Sequence, residues 1–320
     1  MSKMEGFKGS KPSIFIDGAE GTTALEIRER LKKLVEGGEI KMVFVKGFAK
    51  DAEKRREAMN QSDLVVLCLP DEAAKESVAI ANSLSLNTPK ILDASTAHRV
   101  AQGWVYGFPE MDNQQSEKIK EADAVSNPGC YATGAIAFIR PLVQAGVIPE
   151  DYPITINAVS GYSGGGKKMI EKYKEGDASN FELYGLDFEH KHVPEIQKHG
   201  LLKESPIFIP SVGNFYQGML VSIPLHLKEL PTKTTGKDIA EALKKHYAKS
   251  NQIKVVLHTS SENRLNAEAL AKTDKLELHI FWDEKKEQAI LIASLDNLGK
   301  GAVGAAVQNI ELMLGLAKDN

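Results

Sequence analysis

Two cysteines stand in very different surroundings in this 320-residue chain. Cys68 lies in the apolar run Leu64-Val65-Val66-Leu67-Cys68-Leu69, where a thiol behaves as a small hydrophobe and reads as core. Cys130 lies in Ser126-Asn127-Pro128-Gly129-Cys130-Tyr131-Ala132-Thr133. The Pro-Gly pair breaks the chain, and the apolar spacing of Ala135, Phe138, Ile139 and Leu142 starts a helix just after it. A thiol at a helix N-terminus faces the positive end of the dipole, which favours the nucleophilic thiolate. Asn127 and the first backbone N–H groups of that helix would hold an oxyanion. A half-buried thiol at a loop–helix junction is the plainer alternative, and a nucleophile also needs a proton partner.

Eight histidines offer that partner. The densest ionisable cluster is Glu189-His190-Lys191-His192-Val193-Pro194-Glu195-Ile196. Its His190 and His192 suit a base and a substrate anchor, with Glu195 orienting one of them. No third ligand with sensible spacing follows, so a metal pair is not expected. His246, His258 and His279 fall in amphipathic segments and read as surface or packing residues. Ser95-Thr96-Ala97-His98-Arg99 follows an expected strand, the place where an open sheet binds ligands; there Arg99 would fork onto a carboxylate or phosphate. Gly161-Tyr162-Ser163-Gly164-Gly165-Gly166-Lys167-Lys168 reads as a second anion-cradling loop or as a flexible lid.

A third constellation concerns a cofactor. Ser13-Ile14-Phe15-Ile16 is a short apolar run, and Gly18-x-x-Gly21-x-x-Ala24 separates it from an amphipathic helix. Glycines in a strand-to-helix turn let the backbone approach a pyrophosphate, and Thr22 and Thr23 would cap the helix or donate to phosphate. A tight turn that simply needs glycine is the alternative. An NAD site carries an acid near the end of the next strand, about 20 residues on. Here that strand ends Val45-Lys46-Gly47-Phe48-Ala49-Lys50, with Arg55 and Arg56 beyond. Cations without an acid favour NADP(H) over NAD.

The elements needed to position these groups follow from periodicity. Strands are expected at 13–16, 42–45, 63–69 and 90–93, alternating with helices after residue 22, over 51–60 and over 71–84. Such alternation with short connections implies a parallel, Rossmann-like sheet. After about residue 150, strands are expected at 154–160, 206–210, 217–227, 253–258, 276–283 and 287–295, the last two as a hairpin. Helices at 131–145, 165–174 and 235–249 lie among them, giving an α+β domain with a mixed or antiparallel sheet. The expected division is a dinucleotide-binding domain over 1–129, a catalytic and oligomerisation domain over 130–297, and a C-terminal helix within 298–320 that returns to the first domain.

Composition bounds the rest. The chain has 42% apolar and 26% charged residues, enough to build a core. Its 40 basic and 43 acidic side chains leave a net charge of −3, with no basic excess for nucleic acid or an anionic membrane. No apolar run is long enough to span a bilayer, and residues 1–11 lack a signal-peptide core. Two cysteines do not make a disulfide framework, which points to a reducing, cytoplasmic setting.

Taken together, Ile14–Ala24, Ser95–Arg99, Val105-Tyr106-Gly107-Phe108-Pro109-Glu110, Ser126–Thr133, His190–Ile196 and Asp296-Asn297-Leu298-Gly299-Lys300-Gly301-Ala302 occur in this order. The chain resembles the N-acetyl-γ-glutamyl-phosphate reductases, in the shorter of that family's two sequence types, from about residue 12 to 316. The resemblance implies a fold like that of aspartate-semialdehyde dehydrogenase and an NADPH-dependent reduction of an acyl phosphate in arginine biosynthesis. It implies Cys130 as the catalytic cysteine and a catalytic histidine in the H-x-H motif, carried to His190 with His192 as the other candidate. Substrate contacts would come from Arg99, Asn127, Ser163, His192 and Glu195. Cofactor contacts would come from Gly18, Gly21, Thr22, Thr23, Lys46, Ser95, Gly164, Asn297, Lys300 and Gly301. Family members are dimers or tetramers, so a homodimer or homotetramer acting on a small molecule and phosphate is expected. A sister reductase acting on aspartyl phosphate or on a carrier-linked aminoadipyl phosphate, and a non-catalytic dinucleotide sensor, remain the alternatives.

Overall fold

The computed structural model describes residues 11–18, 21–47, 51–84, 88–231, 233–258 and 262–317. The chain forms two units, one of residues 1–109, 114–128 and 303–320, the other of 110–113 and 129–302.

The first unit is built on a six-stranded sheet of β1 (Ser13–Asp17), β2 (Lys41–Met42), β3 (Leu64–Leu67), β4 (Lys90–Asp93), β5 (Val105–Tyr106) and β6 (Ala124–Ser126), in the order β2-β1-β3-β4-β6-β5. Every pairing is parallel. β1, β3 and β4 are buried along their whole length, as strands covered on both faces must be. Helices α1 (Thr22–Glu36), α2 (Ala52–Asn60), α3 (Asp71–Asn82) and α4 (Gln115–Glu121) connect them. Phe15, Met59, Val65, Leu67 and Ile91 share one core cluster.

Two sequence expectations change here. The second strand is shorter than 42–45: after the Val43 amide bonds the Ile14 carbonyl, Phe44 is exposed and stands under the Arg28 guanidinium. At the edge of a sheet a strand has a partner on one side only, and here the chain leaves β1 after Val43 while β1 runs on to Asp17. Likewise β3 stops at Leu67, so Cys68 lies just beyond the strand and is half-buried.

The second unit holds a seven-stranded mixed sheet of β7 (Thr155–Gly161), β8 (Phe181–Leu183), β9 (Ile207–Gly213), β10 (Met219–His226), β11 (Ile253–Leu257), β12 (Leu276–Asp283) and β13 (Gln288–Leu295). Their order is β11-β12-β13-β10-β7-β9-β8. β12 and β13 pair as the expected hairpin, Asp283 opposite Gln288. Helices α5 (Cys130–Gln144), α6 (Gly166–Glu175), α7 (Val193–Gly200) and α8 (Gly236–His246) complete the unit. α5 is apolar nearly all round, as a helix enclosed on every side must be. It packs on β10, β12 and β13 and against α7 and α8. Gly134 permits that approach, because a Cβ there would lie 2.8 Å from Val221 Cγ2.

The last helix, α9 (Gly304–Met313), belongs to the first unit, packing on α1, α4 and β4. The buried Lys90 ammonium donates to the carbonyls of Met313 (3.2 Å) and Lys120 (2.7 Å), a cation at the negative end of a helix. No described helix is long and apolar enough to cross a membrane.

Candidate active site

Cys130 is the first residue of α5. Its N-cap, Gly129, is extended, and the first turn of the helix holds no acid and no side-chain cap of its own. The turn is held from outside: the Gly129 amide donates to Glu195 Oε1 at 2.8 Å. Glu195, 1% exposed, lies in the first turn of α7 behind Pro194, where a carboxylate also suits the dipole. Glu195, expected as a histidine or substrate partner, also fixes the backbone just before Cys130 through its Oε1.

His190 and His192 lie 4.8 Å apart ring to ring, both edge-on to Tyr131 at 6.0 and 5.8 Å. Phe208 and Tyr184 close the His190 ring from other sides. The His192 amide donates to His190 Nδ1 (3.2 Å), so a neutral His190 carries its proton on Nε2 and is a donor there. Tyr131 donates to the Ser211 carbonyl (2.8 Å), and Tyr184 donates to the Tyr131 hydroxyl (3.1 Å). Burial pushes the Tyr184 hydroxyl up to about 12, and the nearby Cys130 charge adds to that rise. Cys130, Tyr131, Tyr184 and the two histidines thus form one cluster. Tyr184 had no sequence signal beyond its type.

The segment after β13 lies behind the thiol. A Cβ on Gly301 would stand 2.9 Å from Cys130 Cβ and 3.3 Å from its Cα. Gly301, expected on the cofactor side, lies against Cys130. The carboxylate of fully buried Asp296 accepts from the amides of Leu298 (2.9 Å) and Lys272 and from Gln217. Asn297 accepts from the Gly218 amide and donates to Ser163 Oγ, both at 2.9 Å. A Cβ on Gly164 would meet Ser160 Oγ at 3.3 Å and Asn297 Nδ2 at 3.5 Å. Ser163, Gly164 and Asn297 are thus brought together as a packed hydrogen-bonded group. Lys300, 1% exposed, gives its ammonium to Glu110 and Gln252, each at 2.7 Å.

The first unit has its own ligand-bearing ends. Gly18 has φ +87°, and a Cβ there would collide with the Cys68 carbonyl, so the backbone of the turn runs against β3. Gly21 is the extended N-cap of α1, and no side-chain cap covers the first turn that Thr22 and Thr23 begin. That cradle fits an anionic pyrophosphate. Ala19, Glu20 and Lys50 lie outside the described residues; Lys46 is exposed just past β2. Arg55 faces Asp17 (3.4 Å), and Arg56 bonds Ser83 Oγ (2.7 Å).

At the carboxyl ends of β4 and β6 a polar network holds the Ser95–Arg99 turn. Fully buried Asp93 accepts from Ser95 Oγ (2.8 Å) and pairs with His98 Nδ1 (2.6 Å), whose ring stacks on Trp104 at 4.0 Å. Arg99 Nε donates to the Asn127 carbonyl (3.0 Å). The Asn127 side-chain oxygen accepts from Asn309 of α9 at 3.1 Å. Arg99 and Asn127 are therefore neighbours in one buried site, with Asp93, His98 and Asn309 as supports not singled out from sequence.

Comparison with known proteins agrees with both parts. Residues 15–122 match the family model described as semialdehyde dehydrogenase, NAD binding domain, and residues 130–297 match the semialdehyde dehydrogenase, dimerisation domain. Among solved structures, aspartate semialdehyde dehydrogenase from Francisella tularensis shares the fold with a TM-score of 0.71 at 13% identity, covering 93% of this chain and 99% of that one. Aspartate semialdehyde dehydrogenase II from Vibrio cholerae gives 0.68 at 15% identity, covering 96% and 99%. At higher identity, the chain is 48% identical over 324 residues to N-acetyl-gamma-glutamyl-phosphate reductase 2 of Nostoc sp., covering 97% of this chain and 99% of the relative. It is 49% identical over 312 residues to the N-acetyl-gamma-glutamyl-phosphate reductase of Rhizobium etli, covering 95% and 99%. With a cysteine at a helix start, a histidine pair against the residue after it, Tyr131, and this likeness along nearly its whole length, the chain belongs to the N-acetyl-γ-glutamyl-phosphate reductase family.

Proposed function

We propose that the protein reduces N-acetyl-γ-glutamyl phosphate to N-acetylglutamate semialdehyde, with Cys130 as the nucleophile and NADPH as reductant, in arginine biosynthesis. The observation that carries this reading is Cys130 as the first residue of an uncapped, enclosed helix, with Glu195 holding the turn before it and Gly301 behind it. Cys130 Sγ attacks the γ-carbonyl carbon, the carbon–oxygen bond to phosphate breaks, and the thiol proton leaves with the phosphate. A thioester results. NADPH, when bound, supplies the hydride that makes this carbon an aldehyde carbon. His190 donates from Nε2 to the oxyanion, and the first amides of α5 add to that stabilisation. The carbon–sulfur bond then breaks, and a solvent proton restores the thiol.

Gly18, Gly21, Thr22 and Thr23 would hold the pyrophosphate, and Lys46 the 2′-phosphate. Arg99 supplies a guanidinium for a substrate carboxylate or phosphate. The protein works in the cytoplasm as a homodimer or homotetramer. The exposed apolar side chains of Ile207, Ile290 and Leu183 on the second sheet support self-association, since a monomer would leave them in water.

The test runs the reaction backward, with N-acetylglutamate semialdehyde, phosphate and NADP, following reduced-nicotinamide absorbance. Phosphate-dependent reduction of NADP, lost in Cys130→Ser, is expected. Turnover with aspartate semialdehyde in its place would move the protein to the sister reaction.

A further inference from the structure

We propose that Lys300 is a positioning residue for the nucleophile: the Glu110–Lys300–Gln252 cluster clamps the turn whose Gly301 backbone rests on Cys130. The cluster is built for rigidity. An ammonium that is 1% exposed is costly unless paired, and Lys300 has a carboxylate and an amide oxygen at 2.7 Å each. Both acceptors are themselves anchored. The Glu110 carbonyl meets His246 Nε2 of α8 at 3.1 Å, and the Gln252 carbonyl accepts from the Leu276 amide at the start of β12 at 2.9 Å.

Lys300 lies in a π-turn, Gly299–Val303, leading into α9. Such turns are uncommon and need support from their surroundings. This one gets no support from side chains at the positions flanking Lys300. Gly299 has no room for a Cβ against the Thr273 carbonyl, and Gly301 none against Cys130. The turn's ties include the bond from the Gly301 amide to the Asp296 carbonyl (2.9 Å) and those of Lys300 itself. Force on the Lys300 side chain therefore passes through one peptide unit to the Cα and Cβ of Cys130. The resemblance puts Lys300 in a segment on the cofactor side; its ammonium is held by Glu110 and Gln252.

The inference rests on Cys130 being the nucleophile, and the test separates the two. Full-length enzyme with Lys300→Met, and separately with Glu110→Gln, is assayed for kcat, for NADPH affinity by fluorescence titration, and for the pH dependence of Cys130 alkylation by iodoacetamide. Glu110→Gln keeps an oxygen acceptor for the ammonium and carries the test if Lys300→Met does not fold. The expected result is a roughly 10- to 100-fold fall in kcat, a matching fall and altered pH profile in alkylation, and NADPH affinity within about twofold of the parent. A tenfold or greater loss of NADPH affinity with unchanged alkylation would overturn the proposal in favour of a cofactor contact. Unchanged kcat and alkylation would overturn it as well. A Cys130 that resists alkylation in the parent enzyme would instead count against the nucleophile.

Discussion

Cys68 and Cys130 make an internal comparison. Each follows the carboxyl end of a strand in the same parallel sheet, Cys68 directly after β3 and Cys130 four residues after β6. Burial first, then the carboxylates of Asp93 and Asp17, push the Cys68 thiol up to about 12. The helix after it opens with Asp71 and Glu72, which take the favourable end of that dipole. The helix begun by Cys130 has no acid in its own first turn and no side-chain cap; the carboxylate at its start, Glu195, comes from α7 and takes the Gly129 amide. Position beyond a strand is thus common to both thiols; the charge around them and the occupancy of the helix end differ. What Cys68 contributes is its carbonyl, which forms the wall against which Gly18 turns.

The comparison breaks most sharply on activity. Cys130→Ser should lower turnover by at least about 10³-fold, while Cys68→Ser leaves it within about twofold. His190→Gln should cost about 10²-fold in kcat, because the donor proposed for the oxyanion is lost. Gly18→Ala should destabilise the first unit by about 1–3 kcal/mol and weaken NADPH binding, because the new Cβ strikes the Cys68 carbonyl at a positive φ. Thermal melts with a cofactor titration check that. Alkylation at pH 7–9, mapped by peptide mass spectrometry, should label Cys130 and leave Cys68 largely unmodified.

The smallest effect lies away from both thiols. Burial holds His246 and His279 below their ordinary value. The unfolded chain then binds protons near pH 6.5 that the folded chain refuses, so stability is full above about pH 6.5 and falls as pH drops below it. Melting temperature measured from pH 8 to 5 should show this fall, and His279→Gln should flatten it.

The first strand, the glycine turn, the helix after Cys130 and the terminal hairpin were legible because local pattern fixes each one. Period, Pro-Gly breaks and glycine spacing act within a dozen residues. Partners far apart in sequence left no such trace. Asn309 orients Asn127 from 182 positions away, and Glu110 meets Lys300 across 190. The resemblance placed Lys300 on the cofactor side, and the carboxylate and amide that hold its ammonium lie too far off in sequence to be read there. The second strand was overestimated for a related reason: Val43, Phe44 and Val45 have the right composition, but an edge strand is held from one side only, and here the chain leaves β1 after Val43. Tyr184 follows an exposed three-residue strand with no amphipathic pattern, so its place beside His190 was visible only in the fold.

The most direct test of the central claim is intact mass spectrometry of the enzyme mixed with N-acetyl-γ-glutamyl phosphate and no reductant, followed by peptide mapping. One N-acetylglutamyl adduct on Cys130, discharged by hydroxylamine or by added NADPH and absent from Cys130→Ser, is the predicted result. No adduct in an enzyme that turns over when NADPH is present, or an adduct on Cys68, would contradict it.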